Sequence, residues 1–233
     1  MKVNIWSDVR CPFCYIGKRK FEAALEKFAH KDKVEVVWHS YQLDPNLGTD
    51  PDRSTLEYFT QTKGVNIDQA RQMLGHATKM AKEVGLEFHL EDAVLANSFN
   101  AHRLIQFAKT KGLGNEIEEA LFRIHFTEKK NIDDKEILIE TGTSIGLDKK
   151  EVTEILASDA YEYEVKQDEM EARNIGVQGV PFFVLNNKYG ISGAQSSEVF
   201  LETLEKAWEE YAAANPSLII SKGESCSTDG TCN

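Results

Sequence analysis

Cysteine is scarce in this chain, four residues in 233. That is too few for the disulfide framework of a secreted scaffold and fits a reducing compartment. Long apolar runs are missing, and nothing approaches the roughly 20 residues a membrane span requires. Positive charge is in deficit, with 27 Lys and Arg against 38 Asp and Glu and a net charge of −11. Nucleic acid and anionic membranes reward basic patches, so neither is expected as the main partner. No basic region followed by an apolar stretch opens the chain, so a signal peptide is not expected and a cytoplasmic location is. Internal repeats and low-complexity runs are also absent.

What is present is ample for a core. Hydrophobic residues make up 41% and charged ones 28%, the balance of a globular protein large enough for one domain with a substantial insertion.

The stretch Ser7-Asp8-Val9-Arg10-Cys11-Pro12-Phe13-Cys14-Tyr15-Ile16-Gly17 organises the rest. A strand-like run, Lys2-Val3-Asn4-Ile5-Trp6, feeds into it and a helical pattern leads out. Two cysteines separated by two residues at the start of a helix form a redox dithiol arrangement. A helix start offers unpaired backbone N–H groups and the positive end of the macrodipole, both of which stabilise a thiolate. Cys11 is therefore expected to be the low-pKa nucleophile, its sulfur exposed, with Cys14 as the resolving thiol one turn in. Pro12 suits the first helical position because its φ is already helical. Zinc knuckles share the spacing but normally carry a second similar pair. Here the remaining cysteines, Cys226 and Cys232, are wider apart and at the far end.

Phe21, Ala24, Leu25 and Phe28 trace one face of the first helix. Val34 to Tyr41 is β-branched and aromatic, a strand within a sheet, and strand–helix–strand of this length implies a right-handed parallel unit. His39 in that strand reads as an ordinary hydrogen-bonded histidine. After the Asp44-Pro45 and Asp50-Pro51 turns, about a hundred residues read as helix. A capping box, Ser54-x-x-Glu57, opens a short helix ending near Gly64, and a stripe from Ala70 to Val84 forms the next. Further helices are expected from about Asn97 to Lys111, Asn115 to Phe126, Asp133 to Ser144, and Asp148 towards Arg173. Pro181-Phe182-Phe183-Val184-Leu185 resumes the sheet, Asn186-Asn187 turns, and Lys188 to Ser192 returns antiparallel. A last helix buries Phe200, Leu204, Ala207, Trp208 and Tyr211.

This order is that of a thioredoxin fold, an α/β architecture, with a large all-helical insertion. The divisions are residues 1–50 and 148–214 for the two parts of the thioredoxin fold, 51–147 for the insertion and 215–233 for a cysteine-containing tail. Small polar residues dominate that tail, where a loosely held terminus is the default.

The motif around Cys11 and Cys14, the stretch Asn97 to Leu104, and Gly176 to Val184 continuing into Ile191 to Gln195 together resemble the DsbA-like thioredoxin superfamily, in its FrnE-like branch. That branch is similar to the hydroxychromene carboxylate isomerases and the kappa-class glutathione transferases. Those enzymes resemble this chain but use a serine where Cys11 stands, so their chemistry is not carried over directly. The resemblance implies a thiol–disulfide oxidoreductase, with protein or peptide disulfides and thiols as partners and no cofactor other than glutathione as an occasional co-substrate. It also implies a cis bond between Val180 and Pro181, packed beside the dithiol. A proline offers no N–H, so the backbone of Val180 would be free to pair with an extended substrate. Pro12 and Phe13, between the cysteines, and Asn97, His102 and Arg103, in the helical block over the site, are the expected substrate contacts. Arg10 would stabilise a Cys11 thiolate and Asp8 oppose it, unless both are merely solvated. Cys226 and Cys232 flank an Asp-Gly turn that can bring their sulfurs together, an auxiliary pair able to relay electrons to Cys11–Cys14. A glutathione-dependent isomerase or transferase, or a metal-binding module built on the cysteine pairs, are the competing readings.

Overall fold

The computed structural model describes residues 1–216, so Cys226, Cys232 and their expected pairing lie outside the described residues. The chain opens with β1 (Lys2–Ser7), α1 (Pro12–Lys27) and β2 (Glu35–Ser40). It closes with β5 (Phe182–Leu185), β6 (Tyr189–Ser192) and α9 (Ser197–Ala214). The four strands form one sheet in the order β2-β1-β5-β6. β1 runs parallel to β2, Ile5 opposite Trp38, and antiparallel to β5, Ile5 opposite Phe183. As the second strand of four, β1 is enclosed by both neighbours, which is why Val3, Ile5 and Trp6 are all buried. Asn186 and Asn187 adopt φ of 51° and 53° in the expected two-residue turn, a conformation asparagine tolerates better than other side chains.

One face of the sheet is covered by α1 and α9, where the Phe21 ring meets Phe183 and Phe200, each at 5.7 Å between centroids. The other face receives α8 (Glu162–Asn174). There Trp6 stacks on His39 at 4.5 Å and donates Nε1–H to the Asp168 carbonyl at 3.1 Å. His39 is the hydrogen-bonded histidine its setting implied, with Nδ1 2.8 Å from Asp168 Oδ1 and Nε2 3.0 Å from Asn4 Oδ1.

The block between the two halves contains α2 (Thr55–Gln61), α3 (Ile67–Glu83), α4 (Phe99–Thr110), α5 (Gly114–Phe126), α6 (Lys135–Ser144) and α7 (Lys149–Ala157). The capping box at Ser54 and Glu57 forms in both directions. Three expectations need correction. The block is not wholly helical, because β3 (Asp50–Ser54) and β4 (Val94–Leu95) pair at its base as a small antiparallel sheet. The segment from Asp148 to Arg173 is two helices, broken at Ser158 to Tyr161, where Tyr161 takes φ 66°. Ser158 and Asp159 compete with the helix for backbone hydrogen bonds, and Arg103 holds the carbonyls this break frees. The core of the helical block also runs past residue 147. Leu104, Leu121 and Leu138 pack in one cluster with Leu147, Val152 and Leu156, so α7 belongs to the block and α8 is the helix that rejoins the sheet.

Candidate active site

Cys11 is the N-cap of α1 and Pro12 its first residue. The Cys11 N–H closes a turn onto the Asp8 carbonyl at 2.9 Å, and Cys14 N–H returns to the Cys11 carbonyl at 3.0 Å. The peptide bond between Val180 and Pro181 is cis. The Cys11 thiol points at it, donating to the Val180 carbonyl with Sγ 3.4 Å from the oxygen. Gly17, one turn beyond Cys14, makes this approach possible, since a Cβ there would lie 3.0 Å from Pro181 Cγ.

The sulfur expected to be exposed is not. Cys11 is only 4% exposed, because α2 and α3 fold over the dithiol. Cys11, Cys14, Leu74, Ala77 and Leu90 share one apolar cluster with Phe13 and Val180 packed against it. Burial, reinforced by the neighbouring Cys11 sulfur, pushes the Cys14 thiol well up and so opposes its ionisation. Cys11 opens instead onto a cavity of about 410 Å³ beneath α2 and α3. Pro12 and Phe13 line it, as do Arg10, Tyr58, Val94 and His125.

Behind the dithiol lies a buried polar layer. Asp8, expected to be either solvated or opposed to a thiolate, is fully buried and so is not solvated. Its carboxylate accepts from Arg10 N at 3.1 Å and from Leu43 N at 2.8 Å, and it faces His102 Nε2 at 3.4 Å. Burial works against its charge, but His102 and these N–H donors hold its carboxyl below the usual range. Burial equally opposes charge on His102, and Asp8 outweighs it and lifts the imidazole. Glu118, buried beside them, is pushed up to about 7 by desolvation. A second cluster ties α1 to α5: Tyr15 donates to Glu119 at 2.5 Å, and Lys18, 2% exposed, reaches Glu119 at 2.8 Å and also pairs with Glu22.

The three helical-block residues expected to meet substrate face elsewhere. Asn97 anchors the loop after β2, donating to the Leu47 carbonyl at 2.7 Å while its Oδ1 accepts from Phe99 N at 2.8 Å. His102 is wholly buried against Asp8. Arg103 donates to the carbonyls of Ala160 at 2.8 Å, Ile155 at 2.5 Å and Ser158, bracing the break between α7 and α8. Arg10, weighed beside Cys11 from the sequence, is in the cavity wall, and Tyr58 and His125 enter it without a sequence signal that singled them out. The signal for His125 is faint: it lies between Ile124 and Phe126 in the last turn of α5, with burial depressing its imidazole to about 4.

The profile of the DSBA-like thioredoxin domain matches residues 2–205. The chain belongs to that family. A probable DsbA oxidoreductase from Streptomyces coelicolor is 40% identical, covering 100% of this chain and 98% of its own, and superposes with a TM-score of 0.86. YwbO of Bacillus subtilis, described as an uncharacterized protein, is 29% identical over 203 residues, 85% of this chain and 92% of its own. The cytosolic disulfide reductase DsbM of Pseudomonas aeruginosa shares the fold at 17% identity, with a TM-score of 0.63 over 90% of this chain and 100% of that one. Among the described residues no helix is long and apolar enough to cross a membrane.

Proposed function

We propose that this member of the family is a thiol–disulfide oxidoreductase in which Cys11 attacks a substrate disulfide and Cys14 resolves the mixed disulfide. The observation that carries the reading is the asymmetry of the pair. Cys11 stands at the helix N-terminus, 3.4 Å from the Val180 carbonyl and open to a cavity. Cys14 lies one turn in, its ionisation opposed by burial. A nucleophile needs thiolate character and access, whereas a resolving thiol needs only to reach its neighbour. Val180 and Pro181 form the wall against which the mixed disulfide would lie. Glutathione is included as a co-substrate; DsbM from Pseudomonas aeruginosa has been solved with GSH. A cytoplasmic setting belongs to the same proposal, resting on the scarcity of cysteine.

The test is trapping. Cys14→Ser is expected to accumulate mixed disulfides that Cys11→Ser does not form, read by mass spectrometry on the intact chain. Equal trapping by the two variants would overturn the assignment of roles.

A further inference from the structure

The cavity beside Cys11 has the size of a small-molecule site, at about 410 Å³ within the usual range of roughly 300–1,000 Å³. Phe13, Phe59, Leu74, Leu95 and Phe126 make most of its wall apolar. Two polar groups in that wall, Arg10 and His125, retain unused binding capacity. The Arg10 guanidinium lies 5.9 Å from the centre of the Tyr58 ring and forms no ion pair among the described residues, whereas nearby Lys63 is already paired with Asp44 at 3.4 Å. His125, buried in the same wall, has an Nδ1 with no hydrogen-bond partner among the described residues. An orphaned buried nitrogen is costly unless a bound molecule satisfies it. Asp44 in the same wall is engaged by Lys63 and Tyr58, which leaves the Arg10 guanidinium able to take an anionic group.

From these features we infer that the cavity receives one arm of a small, non-protein disulfide, an apolar body with an anionic end against Arg10 and a polar atom against His125. The inference deepens the oxidoreductase reading and rests on it. A folded protein substrate would need the dithiol at an open surface; here Cys11 is 4% exposed and α2 and α3 lie over it. In the reaction the Cys11 thiolate attacks the nearer substrate sulfur. A Cys11–sulfur bond forms, the substrate S–S bond breaks, and the distal half leaves as a thiolate that takes a proton from solvent. The Cys14 thiolate then attacks Cys11 Sγ and releases the bound arm as the second thiol. The substrate gains two electrons, the dithiol becomes a disulfide, and a low-molecular-weight dithiol such as dithiothreitol restores it.

The experiment compares the para isomer of dithiodibenzoic acid, its diamide and hydroxyethyl disulfide as oxidants of the reduced full chain. Each rate constant is divided by the same oxidant's rate with free dithiothreitol. The acid is expected to exceed hydroxyethyl disulfide by at least about tenfold, and Arg10→Gln to lower the acid-to-diamide ratio about tenfold, the equivalent of one ionic contact. Val94→Phe, which fills the cavity, is expected to lower the acid-to-hydroxyethyl ratio by a similar factor. Equal normalised rates for the three oxidants, or ratios unmoved by both variants, overturn the inference. Calorimetric titration of a Cys11→Ser chain with biphenyl carboxylate separates its failure from that of the oxidoreductase reading. Saturable binding that Val94→Phe weakens supports the cavity even if no disulfide is reduced, and no binding overturns it.

Discussion

Gly17 and Pro181 meet so closely that a β-carbon on Gly17 would stand 3.0 Å from Pro181 Cγ and 3.4 Å from Phe183 Cζ. The contact joins the helix bearing the dithiol to the strand opposite it. Gly17→Ala improves helix propensity by up to about 1 kcal/mol, but overpacking of a buried site costs typically about 1–3 kcal/mol. The expected outcome is a net loss of about 1 kcal/mol in urea unfolding, with slower disulfide exchange because Pro181 is pushed from Cys11. A variant as stable and as fast as the parent would remove Gly17 from the site.

The buried Asp8–His102 pair sets a pH window. Asp8 is held below its ordinary value, so the stability it contributes is present above pH 4 or so and fades as pH falls. His102 is lifted above its ordinary value, so its contribution is complete below about pH 6.5 and fades as pH rises through the folded value. Asp8→Asn leaves the imidazole without its counter-charge, at a cost of about 3–5 kcal/mol for a broken buried pair. His102→Gln should abolish this pair's loss of stability above pH 6.5, read from chemical unfolding at a series of pH values.

Glu118 shows the opposite sign. Its carboxyl is pushed up to about 7, so the folded state resists its ionisation and it destabilises the protein increasingly as pH rises from about 4.5. Glu118→Gln is expected to stabilise at pH 8 by on the order of 2–3 kcal/mol and to change little at pH 4. Unfolding midpoints at the two pH values decide it, and an equal effect at both would point to packing instead.

Arg103 discriminates bracing from substrate contact. Arg103→Lys loses the planar fork that serves three carbonyls at once. A loss of about 2 kcal/mol is expected, as for a buried polar network deprived of partners, with faster amide exchange at residues 155–161. Reduction rates for small disulfides should stay within about twofold of the parent. A selective rise in KM with stability intact would return Arg103 to the substrate.

How far the sequence was legible follows physical range. The dithiol, Pro12, the capping box at Ser54 and the asparagine turn are local devices whose partners lie within a few residues, and each forms as its chemistry requires. Pro181 was reached through the family pattern around it. Asn97, His102 and Arg103 are expected at the site only because the family resemblance puts their helical stretch over it, but which way a helix turns its side chains is set by packing across the fold. Arg103 spans to residues 155–160 and His102 to Asp8, distances along the chain that no local pattern encodes. The β3–β4 pair was hidden for the same reason. β4 is two residues long, and its partner carries a proline and three charged residues, a composition that argues against a strand. The loss of exposure at Cys11 likewise depends on α2 and α3, more than forty residues away in sequence.

The sheet order β2-β1-β5-β6 separates two contacts of the same strand by very different lengths of chain. β1 reaches β2 across a single helix, but reaches β5 only after the whole helical block has been crossed. The longer closure costs roughly 1.5 kcal/mol more entropy if the intervening chain is slack, and contacts so remote in sequence form slowly. Leu104, Leu121 and Leu138 pack the intervening block into one core, which would shorten that loop if it formed ahead of the β1–β5 pairing. The two walls of the dithiol site are therefore expected to form at different stages of folding, α1 with its cysteines on the β1–β2 unit first and the docking of Val180 and Pro181 later, an order that pulse-labelled hydrogen exchange would read.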